Sequence, residues 1–96
     1  EPAPTPKDPA IENLEALQMK VPRAFPFQNH DAHILAHANF IKSRMVQANP
    51  MVYALLQGHI SEHISYKARA VVMTMVMADE KLQQLKEQDM EAFQME

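Results

Sequence analysis

The chain has 96 residues, 47% of them hydrophobic and 22% charged, with a formal net charge of −3. That hydrophobic content excludes a chain disordered throughout, and the absence of cysteine excludes disulfides, zinc knuckles and thiol chemistry. A single glycine argues against a turn-rich β sandwich or barrel, and the acidic balance gives no electrostatic reason to bind DNA or an anionic membrane unaided.

A chain of this length forms one domain at most, and folding hides only about 60–65% of its extended surface. No apolar run approaches the roughly 20 residues of a membrane-spanning helix, so no membrane partner is expected. No signal peptide is visible, and the first residue is Glu rather than Met, which suggests a processed chain or a piece of a longer one.

Residues 1–9 carry four prolines and read as an extended arm or linker. Asp8-Pro9 then offers an N-cap followed by a proline at the first helical position. Ile11, Leu14, Leu17 and Val21 follow as one apolar stripe, which predicts a short helix that Pro22 and Pro26 end. Residues 10–28 are thus a short helix plus an irregular connector. A second helix is predicted from about Asn29 to Ala48, with Asn29 or Asp31 as cap. Asn49-Pro50 closes it and opens a third, which has no proline after Pro50 and can run into the 80s or beyond. Residues 29–96 therefore read as an αα hairpin with a long C-terminal helix, and the fold class as all-α. Beyond residue 78 six acids face two lysines and the helical rhythm weakens.

Helical wheels give the most informative feature. On the second helix Ile34, Ala38, Ile41 and Met45 share one arc, with His30 and His37 at its border and His33 just beyond, beside Phe40. On the third, Val52, Leu55, Leu56, Ala70, Met73 and Met77 share a stripe with His59 and His63 in its middle and Tyr66 one turn on. All five histidines thus lie on or beside the faces that must mate, flanked by Glu62 and Arg69. An unpaired buried imidazole costs about 1–3 kcal/mol, so the seam of His30, His33, His37, His59, His63 and Glu62 needs a hydrogen-bond network, an ion or another chain. Hydrogen-bonded packing is the reading adopted, with no cofactor. The alternative is that His33, His37, His59 and His63 supply ligands to one Zn²⁺.

His59-Ile-Ser-Glu62-His63 also spells H-x-x-E-H, a string found in inverted zinc peptidases. A third ligand, a substrate cleft and a scaffold are needed as well, and the chain offers no evident cleft, so no catalysis is expected. Residues 71–78 are apolar around the whole helix, which points to an oligomer interface at Val71, Val72, Met73, Met75, Val76 and Met77. Gly58, in mid-helix, reads as permitting close approach of another backbone.

Residues 27–69 resemble a segment near the C-terminus of some tailed-bacteriophage portal proteins. There H-D-x-H-I-x-x-H-x-x-F is followed by N-P and H-I-x-E-H, and the matching residues here are His30, Asp31, His33, Ile34, His37, Phe40, Asn49, Pro50, His59, Ile60, Glu62 and His63. The resemblance implies a C-terminal piece of a much longer chain, assembled with copies of itself into a ring, usually of twelve, at a capsid vertex. It implies a structural role at the genome channel, in the virion and in host cytoplasm during assembly. Partners would be other capsid or neck proteins, with packaged DNA nearby but no sequence-specific contact. The runner-up is a small His-rich helical bundle that binds a metal ion or a partner helix.

Overall fold

The computed structural model describes residues 3–94, and every regular element among them is helical. Helix α1 spans Pro9–Leu17, α2 His30–Ile41, α3 Arg44–Gln47 and α4 Pro50–Gln94. Asp8 caps α1 by accepting from the Ala10 N–H, and Asn29 caps α2 by accepting from the Ala32 N–H. Asn49 accepts from the Val52 N–H at 3.3 Å and opens α4. At each start a short polar side chain takes up a donor the first turn leaves free. Helix α1 ends in a Schellman motif: the Met19 N–H donates to the Ala16 carbonyl at 2.9 Å and Lys20 to Glu15 at 3.0 Å. Met19 takes the left-handed position, at φ 63°, where glycine is the usual occupant.

Two expectations need correction. The predicted second helix is broken: α2 stops at Ile41, and Ser43, extended at ψ 152°, caps the separate turn α3. Its hydroxyl accepts from the Val46 N–H, a local bond that competes with continuing the helix. The bend carries Val46 into the core and leaves Met45 exposed, although Met45 falls on the predicted apolar arc. Helix α1 is also turned over. Ile11, Leu14 and Val21 of its predicted stripe are exposed, while Glu12, Asn13 and Ala16 are buried.

The helices α1, α2 and α3 pack on the first half of α4, with α2 and α4 forming the largest contact. The apolar core is small: Ala16, Val46, Val52 and Leu56 are buried together, with Leu17, Phe40, Ile41 and Tyr53 against them. His37, His59 and His63 rank with Leu56 among the largest fully buried side chains. The head of this molecule is therefore filled about as much by imidazole as by hydrocarbon.

Helix α4 has 45 residues and, at 1.5 Å per residue, is about 67 Å long, against about 18 Å for α2. The molecule measures 73 × 31 × 16 Å. From Lys67 to Ala92 every residue of α4 is exposed, and the turn Val71–Met77 has no cover among the described residues. Ala70, Met73 and Met77 continue the stripe of His59 and His63 past the end of their partner helix. The longest helix does not meet the membrane-span criterion of length and apolarity.

Gly58 faces open space, with nothing within 4 Å of the position a Cβ would take. No close backbone approach within the chain explains it. Gly58→Ala is expected to raise stability by about 0.5–1 kcal/mol through helix propensity alone, as measured by urea unfolding.

Candidate metal centre

Four histidines and one glutamate meet where α1, α2 and the first half of α4 touch. His33 and His37 sit one turn apart on α2, and His59 and His63 one turn apart on α4, so each pair projects from one helix face. Glu12 comes from α1, which packs against both α2 and α4. Glu12, His33, His37, His59 and His63 are all buried, and one possible ligand atom from each lies within 4.8 Å of every other.

The partners on the outside of the cluster dictate where its protons sit. The Pro26 carbonyl can only accept, so His30 Nε2 carries a proton and donates to it at 3.0 Å. Neutral His30 then has its lone pair on Nδ1, and His63 Nδ1–H donates to that atom at 2.8 Å. His37 Nδ1–H donates to Asn13 Oδ1 at 2.7 Å, and His59 Nδ1–H to Glu62 Oε1 at 3.3 Å. With Nδ1 of all three rings committed as a donor, the neutral tautomers leave the Nε2 lone pairs of His37, His59 and His63 pointing inward. Those of His37 and His59 meet the Glu12 carboxylate, which also accepts from His33 Nδ1–H at 3.0 Å, and that of His63 meets His59 Nε2.

The centre is thus an array of acceptors facing one another. His37 Nε2 lies 3.2 Å and His59 Nε2 3.3 Å from Glu12 Oε1, and His63 Nε2 lies 3.2 Å from His59 Nε2. These separations are long for charge-assisted hydrogen bonds, which favour about 2.7–2.9 Å. They match three of the six edges of a tetrahedron whose centre lies about 2.0–2.1 Å from each corner, an edge of about 3.3–3.4 Å, and the remaining pairs lie within 4.8 Å. Acceptors so placed need a cation between them, either a proton or a metal ion.

The electrostatics agree with that need. Burial alone would raise the Glu12 carboxyl, but hydrogen bonds and charge from His37 and His59 outweigh it and hold it at about 2. Burial would lower His59, yet Glu12 and Glu62 together raise it above its ordinary value. A proton on His59 Nε2 is the smallest cation that can fill the array. His63 is pushed down to about 4 by burial and by the neighbouring His59, His33 and His30. His33 is also lowered, mainly by burial and against the pull of Glu12.

A pH profile of the metal-free chain follows. Between pH 6.5 and about 4 the unfolded chain takes up protons on His33 and His63 that the folded chain refuses, so stability falls as pH falls. His59, shifted the other way, takes up its proton on folding above pH 6.5, so its contribution is already complete there and does not offset the loss at lower pH. Glu12 contributes stability above its ordinary 4.5 and loses it only as pH falls toward 2. The midpoint temperature is expected to drop from pH 6.5 to pH 4, by calorimetry in chelator; a rise over that interval would contradict these shifts.

The histidine seam read from the sequence is thereby resolved into parts. His33, His37, His59 and His63 converge. His30 sits at the rim, its ring stacked on Tyr66 with centroids 5.6 Å apart. Glu62 lies outside, bonded to the back of His59, and does not face the cluster as the base of an H-x-x-E-H peptidase would. Glu12 and Asn13 were not among the residues singled out. Their one signal is that two adjacent polar residues share a helix face with Ala16 while apolar neighbours flank them. Comparison with protein-family models, with curated proteins and with solved structures finds no match for this chain.

Proposed function

We propose that this chain is a metal-stapled helical unit in which Glu12 Oε1 and the Nε2 atoms of His37, His59 and His63 hold one divalent ion, Zn²⁺ foremost. The observation that carries the reading is the inward set of three lone pairs and a carboxylate gathered within 4.8 Å of one another, each ring fixed from behind by an outer partner. Metal-ligating histidines are characteristically oriented in this way, through the nitrogen that does not bind. Three imidazoles and a carboxylate suit zinc and, among other first-row ions, Co²⁺, Ni²⁺, Cu²⁺ and Fe²⁺. His33 holds the carboxylate and is a fifth donor for ions that prefer more ligands than zinc.

The role is structural. Four protein ligands fill a tetrahedral zinc, and a catalytic site keeps one position for water or substrate. The buried ligands leave no approach for a substrate. The ion ties α1 to the α2–α4 hairpin, joining residues up to 51 positions apart, and completes a head whose hydrocarbon core is small. Calorimetric titration of chelator-stripped protein with Zn²⁺ should give one site per chain, binding more tightly than micromolar with release of about one proton as the His59 imidazolium gives way. Folded protein with all five histidines intact and no binding in that range would end this reading.

A further inference from the structure

The bare half of α4 carries a second pattern, independent of the metal reading. Ile64, Val71, Met75, Leu82 and Leu85, with Ala68 and Ala78 between them, recur at alternating steps of four and three. The five large side chains of this set are each about half or more exposed. This is a 3.5-residue repeat held for three heptads, the seam that fits another helix of the same repeat. At 100° per residue it lies about 110° around α4 from the His59–His63 stripe, so it is turned away from α2.

We propose that this seam pairs with the same seam of a second copy of the chain, antiparallel, as a two-helix coiled coil. Charge selects the occupant and its direction. The part of α4 next to the head carries Lys67 and Arg69 and no acid, while the distal part carries five acids (Asp79, Glu80, Glu87, Asp89, Glu91) against Lys81 and Lys86. An antiparallel copy lays each basic part against an acidic one, so the helix supplies its own complement. A parallel copy would set acidic part on acidic part and bring Lys81 close to Lys86 across the seam. Among antiparallel registers, the one that centres between Met75 and Ala78 opposes Val71 to Leu82 and Ala68 to Leu85. It places Lys67 beside Gln88, whereas sliding by half a heptad toward the head would place it beside Lys81.

Light scattering on the full chain is expected to give a dimer at micromolar concentration, and Met75→Glu a monomer. Met75 lies far from the head, so zinc uptake and the unfolding of the head should be unchanged in that variant. Because the chain has no cysteine, direction can be read directly from Val71→Cys and Leu82→Cys chains mixed and oxidised. The expected product is the mixed 71–82 disulfide. A monomeric wild type, a dimer indifferent to Met75→Glu, or 71–71 and 82–82 products would each overturn the proposal. So would a ring of like-oriented subunits, the arrangement the portal resemblance implies, because it sets the extensions parallel.

Discussion

Stripping the chain of metal is expected to lower the midpoint of thermal unfolding by roughly 15–30 °C. One bound ion present at a thousand times its dissociation constant adds about 4.1 kcal/mol to the folded state, and a domain of this size moves by about 4–8 °C per kcal/mol. The reason for so large an effect is what fills the head. Ala16, Val46, Val52 and Leu56 are its buried apolar cluster, and His37, His59 and His63 occupy comparable space beside them. Without a divalent ion, a single shared proton must reconcile three lone pairs and a carboxylate in a buried setting. With the ion, each of those atoms has its preferred partner. Scanning calorimetry with and without chelator, followed by refilling with Zn²⁺, measures the difference. His37→Ala and His63→Ala should abolish the response to zinc. His30→Ala removes only the outer partner of His63 and should weaken binding by about 10–100-fold. A midpoint that ignores both chelator and excess zinc would rule out a structural ion.

The parts of the fold that local chemistry decides were legible in the sequence. Asp8-Pro9, Asn29 and Asn49-Pro50 mark helix starts because a short polar side chain or a proline suits those positions whatever surrounds them. The all-α class and the long last helix follow from the same signals. The break at Lys42–Ser43 was missed because a serine within an apolar rhythm is equally compatible with a cap and with a helix interior. The histidines could be placed on mating faces because 3.6 residues per turn relates His33 to His37 and His59 to His63. Which of them converge could not be read, since that depends on the crossing of α2 over α4.

The orientation of α1 is the clearest case of tertiary demand overriding local pattern. Ile11, Leu14 and Val21 make the more apolar stripe, and by burial of hydrocarbon alone they should face inward. Glu12 and Asn13 face inward instead, since four imidazoles across the gap need an anion and an acceptor. Leaving them unpartnered would cost more than burying three aliphatic side chains would recover. Glu12 stands 21 positions before the nearest histidine it touches, and the connector between them gives no hint of the pairing.

That arrangement makes Glu12→Gln the single substitution expected to unhook α1. The change keeps shape and removes charge. A neutral amide is a poor ligand, and its NH₂ group can satisfy only part of the donor-poor centre while the His33 Nδ1–H loses its charged acceptor. Removing one member of a buried charged set costs about 3–5 kcal/mol, and zinc affinity should fall on the order of a hundredfold or more, at least as far as outer-partner changes reach. The loss should be local in the first instance. Helix α1 holds the head mainly through Ala16, Leu17 and the two polar side chains, whereas α2, α3 and α4 share their own apolar contacts around Val46, Val52 and Leu56. Amide exchange should therefore accelerate most across residues 9–17 while Val52 to His63 stay protected, and protease should cut first in the connector that follows α1. Glu12→Asp, which restores charge on a shorter stem, should recover part of the zinc affinity. If Glu12→Gln binds zinc as the parent does and α1 exchanges no faster, then the carboxylate neither ligates the ion nor anchors the helix. The staple would then have to be built from the four histidines alone.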